Sequence, residues 1–131
     1  MTDREAILDL IARYAVTLDS DDIDGCLSLF TEDAEYLVFG KTLVGREKIG
    51  QMFTRAPKGL HLTGASVVSV EGPNATARTQ VLFVDSTTRE TRPAMYDDDL
   101  VNFDGNWLFR RRHCQFLTAT GLSEVPIKHD S

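Results

Sequence analysis

The sequence predicts one α+β domain in which a curved antiparallel sheet closes over helices. Three observations carry that expectation. Apolar residues recur mostly at helical spacing as far as Pro57 and Gly59, four long runs with strand character follow from Leu60 onward, and each pair of those runs is separated by residues with turn chemistry. A length of 131 residues with 42% apolar composition fits a single domain with one core, over about residues 4–118, followed by a tail over 119–131.

Thr2 and Glu5 have the spacing of a capping box, in which each side chain satisfies a backbone donor at the start of a helix. Ile7, Leu10, Ile11, Tyr14, Ala15 and Leu18 then mark one helical face. Ser20, Asp21 and Asp22 offer cap oxygens to a shorter second helix carrying Ile23, Cys26, Leu27 and Phe30. From Ala34 to Phe39 the period falls to two, with Tyr36 and Val38 on one side and Leu37 and Phe39 on the other, and Gly40-Lys41 turns the chain. Gly45 opens a third helix that can turn Ile49, Met52 and Phe53 inward, and Pro57 and Gly59 end it. Strands are predicted at about Leu60–Val70, Ala75–Val84, Arg92–Phe103 and Trp107–Thr118. The Asp104-Gly105 pair is a strong hairpin signal between the last two. The order is α-α-β-α-β-β-β-β, and the tail beyond Gly121 is expected to be mobile unless a neighbour holds it.

Composition excludes several classes. A net charge of −6 argues against nucleic acid as a partner, because such affinity rests on Lys and Arg neutralising phosphates. The polar start Met1-Thr2-Asp3-Arg4-Glu5 is unlike a signal peptide, and no apolar run reaches the roughly 20 residues that span a bilayer. A cytoplasmic location without membrane partners is the expectation. Cys26 and Cys114 lie far apart in apolar surroundings and read as reduced core residues. No phosphate-cradling glycine loop, G-x-S-x-G elbow or dinucleotide fingerprint occurs. Asp97-Asp98-Asp99 makes a poor metal site, since alternate strand carboxylates point to opposite faces.

A sheet curled over helices leaves a pocket at its open end, so polar residues projecting there are the candidates for chemistry. Tyr14 sits on the apolar face of its helix and is either a core aromatic with its hydroxyl at the surface or a donor to a substrate oxygen. Asp19 ends that helix and either caps the next one or enters a site. His61, at the start of a strand, is by itself more often structural. Paired with Asp19, it would have its tautomer fixed and a nitrogen free to act as a base. In Arg110-Arg111-Arg112-His113, strict alternation puts Trp107, Phe109, Arg111 and His113 on one face and Arg110, Arg112, Cys114 and Phe116 on the other. Most of these charges read as solvated partners of Asp97-Asp98-Asp99.

The opening Ile7-Leu8-Asp9-Leu10-Ile11-Ala12-Arg13-Tyr14 with Asp19, then Leu29-Phe30-Thr31-Glu32-Asp33-Ala34, Val44-Gly45-Arg46-Glu47-Lys48-Ile49, His61 and Phe103-Asp104-Gly105-Asn106-Trp107 resemble the SnoaL-like branch of the NTF2-like superfamily. The resemblance implies a cone-shaped fold, with a bent sheet around three helices and a deep apolar pocket, and it implies homodimers or homotrimers. Within that superfamily the pattern is similar to cofactor-independent lyases, namely scytalone dehydratase, bile-acid 7α-dehydratase and lindane dehydrochlorinase. In the last two, a polar residue precedes an aspartate by five positions and a histidine opens the long strand, as Tyr14, Asp19 and His61 do here. An arginine five residues after the tryptophan would be Arg112, although sharing a pocket with Trp107 requires a bulge, and Arg111 is the fallback. The resemblance implies a dehydratase-type β-elimination on a small apolar, cyclic molecule, with no metal or organic cofactor. Tyr14, Asp19, His61 and Arg112 would be the site. The alternatives are an isomerase or cyclase using the same pocket, a non-catalytic small-molecule-binding protein, or an accessory subunit like the small chain of ring-hydroxylating dioxygenases. Leu10, Phe30, Phe53, Val81, Phe83 and Tyr96 are the expected apolar lining.

Overall fold

The computed structural model describes residues 1–127; the end of the predicted tail, residues 128–131, lies outside the described residues. The chain runs α1 (Asp3–Asp19), α2 (Ile23–Leu27), β1 (Phe30–Val38), β2 (Lys41–Val44), α3 (Arg46–Arg55), β3 (Gly59–Glu71), β4 (Asn74–Asp85), β5 (Thr91–Phe103), β6 (Asn106–Thr118) and β7 (Gly121–Ser123). Helix α1 begins with the capping box, Thr2 and Glu5 bonding reciprocally. Asp22 caps α2 by accepting from the Gly25 backbone N–H. Phe39-Gly40 and Asp104-Gly105 are two-residue hairpin loops in which both residues take positive φ, the twist that joins antiparallel strands without splaying them.

One sheet holds all the strands in the order β2-β1-β6-β5-β4-β3, with β7 paired to the end of β6. Strands β3 to β6 form the predicted antiparallel meander. The expectation of a wholly antiparallel sheet needs one correction, because β1 pairs parallel to β6. After the β1–β2 hairpin, α3 carries the chain to the far edge, and four antiparallel strands then return it beside β1 running in the same direction. Two short strands were also not predicted. β2 has four residues, mostly exposed, and β7 has three; neither is long enough to show a hydrophobic period. β7 holds the start of the tail against Phe116–Thr118, and His113 Nε2 meets the Glu124 carboxylate at 2.9 Å.

The inner face of the sheet packs on the helices through Phe30, Tyr36, Ala77, Tyr96, Leu100 and Phe109, against Ile7, Leu10, Ile11 and Tyr14 of α1. The Trp107 indole N–H donates to Asp3 Oδ1 at 3.1 Å, tying the start of α1 to β6. Cys26 and Cys114 are buried free thiols, as expected. No helix among the described residues is long and apolar enough to cross a membrane.

Strand β6 departs from strict alternation. Leu100 pairs with Phe109 and Asp99 with Arg111, so Arg110 is an extra residue in a β-bulge. The bulge reverses the parity, and Trp107, Phe109, Arg112, Cys114 and Phe116 all face inward while Arg110 is exposed. Arg111 and His113 consequently lie on the opposite face from Arg112, Arg111 towards Glu35 at 3.6 Å and His113 against Glu124.

Candidate functional site

Between the helices and the curled end of the sheet lies a cavity of about 690 Å³, within the roughly 300–1,000 Å³ typical of small-molecule sites. Tyr14, Tyr36, Phe53, Tyr96 and Phe116 supply aromatic walls, and Asp19 and His61 stand on its lining. Of the expected lining, Phe53, Val81, Phe83 and Tyr96 reach the cavity. Leu10 and Phe30 are buried in the core and do not line it.

Asp19, at the end of α1, and His61, near the start of β3, are brought together by the packing of those two elements. Asp19 is the last residue of α1, where a negative charge opposes the helix dipole, so local helix stability does not explain a carboxylate there. Capping of the second helix falls to Asp22, which leaves both Asp19 oxygens for His61. Oδ2 accepts from the His61 backbone N–H at 2.7 Å, and Oδ1 meets the ring Nδ1 at 2.6 Å. The two side chains are 19% and 17% exposed, sheltered yet in contact with solvent. In the neutral ring the Nδ1 bond places the proton on that nitrogen and leaves Nε2 as the basic one. Nε2 has no protein partner among the described residues. Phe83 packs against the imidazole at 4.8 Å between centroids with the rings tilted by 47°, and Tyr14 presents to it edge-on at 6.5 Å. Gly59 lets β3 begin close against β4 two residues before His61, because a Cβ there would fall 2.2 Å from the Val84 carbonyl oxygen.

Tyr14 is fully buried, and its hydroxyl shares a 2.8 Å hydrogen bond with the hydroxyl of Tyr36. Burial pushes the phenols of Tyr14, Tyr36 and Tyr96 well above their ordinary titration range, so they stay protonated and remain donors. In the Tyr14–Tyr36 pair one hydroxyl donates to the other, and the second has a hydrogen to offer elsewhere. Sequence reasoning missed Tyr36 as a polar member of the site. The available signal was its place on the same strand face as Val38, which makes it a buried hydroxyl facing the same interior as Tyr14.

Arg112 faces inward but is not part of the cavity lining. Its Nε and Nη2 donate to Asp98 at 2.7 and 2.9 Å, and both side chains are 0% exposed. For Asp98 this corrects the expectation of a solvated acidic strand; for Arg112 the bulge does turn it inward, directly across from Asp98 on β5, but into the core and not onto the cavity lining. The guanidinium carbon lies 4.2, 3.8 and 4.3 Å from the ring centroids of Tyr14, Tyr96 and Phe109, a cation held against aromatic faces. Burial opposes the charge on Arg112, yet the facing Asp98 keeps it protonated, above its ordinary range. Burial raises the Asp98 carboxyl, while the guanidinium pulls the other way. Arg112 is thus a buried positive charge one ring behind the cavity, and it works against the burial that raises the Tyr14 phenol.

Residues 1–113 match the family model described as a SnoaL-like domain. No curated protein matches the chain. Among solved structures, an NTF2-like protein with a cystatin-like fold from Novosphingobium aromaticivorans is 30% identical, with a TM-score of 0.81 over 91% of this chain and 86% of that one. A protein of unknown function from Mycobacterium tuberculosis is 28% identical, with a TM-score of 0.81 over 87% of this chain and 71% of that one. A hexachlorocyclohexane dehydrochlorinase from Novosphingobium barchaimii shares the fold at 19% identity and a TM-score of 0.76, covering 97% and 91% of the two chains.

Proposed function

The chain belongs to the SnoaL-like domain family of the NTF2-like superfamily, and on that premise we propose that it is a lyase that eliminates water or a comparable leaving group from a small, ring-bearing molecule. The observation that carries the reading is the two-point grip of Asp19 on the backbone and ring of His61 at the cavity wall. A carboxylate used in this way fixes the imidazole orientation and stabilises the imidazolium that forms when Nε2 takes a proton.

The step balances with acid–base groups alone. His61 Nε2 removes a proton from a carbon next to an electron-withdrawing group, and the C–H electron pair becomes the new double bond. The bond from the neighbouring carbon to oxygen breaks with its electron pair going to oxygen, and the imidazolium gives its proton to the departing hydroxide, which leaves as water and returns His61 to its neutral form. In the Tyr14–Tyr36 pair, the hydroxyl whose hydrogen is not used within the pair donates to the oxygen on which charge develops. Arg112 touches no substrate in this scheme. It is a positioning residue whose charge, held by Asp98 against the Tyr14 ring, favours negative charge at that phenol and makes it a stronger donor.

The test is product mass. Ring-bearing β-hydroxy ketones and β-hydroxy thioesters are incubated with the protein, and products are separated by mass spectrometry. Loss of one water with a conjugated product is the expected outcome. Turnover that leaves the mass unchanged assigns an isomerase or cyclase instead, and binding without turnover assigns a binding protein.

A further inference from the structure

We propose that the mouth of the cavity is an anion-binding subsite. The molecule it takes is then an amphiphile, with an apolar ring-sized body seated among the tyrosines and phenylalanines and an oxyanion group, carboxylate or phosphate, held at the rim. This rests on the reading of the cavity as a small-molecule site and names the class of molecule.

The charge distribution carries the inference. The chain as a whole has 20 Asp and Glu against 14 Lys and Arg, so an average lining would hold more carboxylates than cations. Among the described residues the cavity lining is the reverse, with Lys41, Lys48, Arg55, Lys58 and Arg92 against one carboxylate, Asp19. That carboxylate is spent on His61 with both oxygens. The five cations come from β2, α3, the connection before β3, and β5. They converge through the fold and do not form a run in the sequence. Lys58 is held by Asp21 at 2.7 Å, whereas Lys41, Lys48, Arg55 and Arg92 form no ion pair among the described residues. Asp85 feels the charge of Arg92, but its Oδ1 already accepts from the Thr87 and Thr88 backbone N–H groups.

A cleft with low-dielectric walls and charges of one sign at its mouth concentrates its field on what enters. Deeper in the cavity the walls are phenol rings and apolar side chains, and the charge of Arg112 is already matched by Asp98. An anion therefore finds its free partners at the rim, and an apolar ring finds its contacts inside. That arrangement orients a ligand with its charged end outward.

Two fluorescent probes with the same ring skeleton test this directly: 1-anilinonaphthalene-8-sulfonate, which is anionic, and N-phenyl-1-naphthylamine, which is neutral. Each is titrated into the wild type and into the Lys48→Gln/Arg55→Gln/Arg92→Gln variant at low and high salt. The anionic probe is expected to bind the wild type more tightly and to weaken as salt rises. Removing three rim cations should cost it about 10- to 100-fold, at about two- to fivefold for each exposed charge, and leave the neutral probe unchanged. Equal affinity for the two probes, or an equal loss of both in the variant, overturns the proposal. If the variant does not fold, the salt series on the wild type decides the question alone: affinity for the anionic probe that does not change with salt overturns it. Displacement of the anionic probe by naphthoate or naphthyl phosphate, with the stronger competitor identifying the head group, supports the subsite; equal displacement by naphthol contradicts it. Binding is read without turnover, so a chain that passes here and never releases water keeps the subsite and loses the lyase reading.

Discussion

Replacing Asp98 by alanine strips a fully buried guanidinium of its counter-charge. Arg112 then retains three aromatic faces at 3.8 to 4.3 Å but loses hydrogen bonds of 2.7 and 2.9 Å, and neither side chain has water to take their place. Breaking one side of a buried ion pair costs about 3–5 kcal/mol, a large part of the roughly 5–15 kcal/mol that holds a domain folded. For a chain of 131 residues that corresponds to a fall in Tm of about 10–20 °C. Urea unfolding followed by the fluorescence of the single tryptophan, Trp107, and by circular dichroism gives the free energy. The double variant Asp98→Leu/Arg112→Met removes both charges and fills the space, so it is expected to recover most of the loss. A loss below about 1 kcal/mol for Asp98→Ala, the value of a solvent-exposed pair, would refute the reasoning. So would a double variant no better than the single one.

Tyr14→Phe removes one hydroxyl of the buried pair and is expected to lower turnover about 10²-fold, the usual cost of one donor to a developing oxyanion, with KM little changed. Burial lifts the Cys26 thiol to about 11; it lies outside the cavity lining and should resist an aromatic disulfide reagent at pH 8 in the native protein and react fully once it is unfolded. The hydrogen bond to His113 holds the Glu124 carboxyl below its ordinary range. The stability it lends the β7 contact is therefore present above the unfolded carboxylate pKa of about 4.3 and lost as pH falls through the lower folded value. Amide-exchange protection of Gly121–Ser123 should drop over that acid range in the wild type and lose the dependence in Glu124→Gln.

The meander is legible in the sequence because β3 to β6 are long, alternate cleanly over most of their length and are joined by turns with distinct chemistry. The helices are legible because Thr2, Asp22 and Gly45 mark their starts. The alternating pattern shows β1 only from Ala34, although the strand begins at Phe30, the residue that helical spacing assigns to α2, which ends at Leu27; exposed Glu32 and Asp33 interrupt the apolar signal of the strand. Its parallel pairing with β6 depends on where the meander ends, which no local pattern encodes. Within the site, the five-residue spacing of Tyr14 and Asp19 follows from one helix and is visible in the sequence. The meeting of Asp19 with His61 needs the packing of α1 on β3. Arg112 shows the limit most sharply, since a single extra residue at Arg110 decides which of three adjacent arginines enters the core. The cationic rim is hidden for a related reason. Lys41, Lys48, Arg55, Lys58 and Arg92 look like ordinary surface charges until the fold gathers them around one opening.

The central claim, that His61 held by Asp19 is the base, is tested most directly by the kcat/KM of His61→Ala on a substrate that the wild type converts with loss of water. The predicted result is a fall of about 10²–10⁴-fold, the contribution of a positioned general base, with an unaltered thermal unfolding midpoint. An unchanged rate in the folded variant would contradict it.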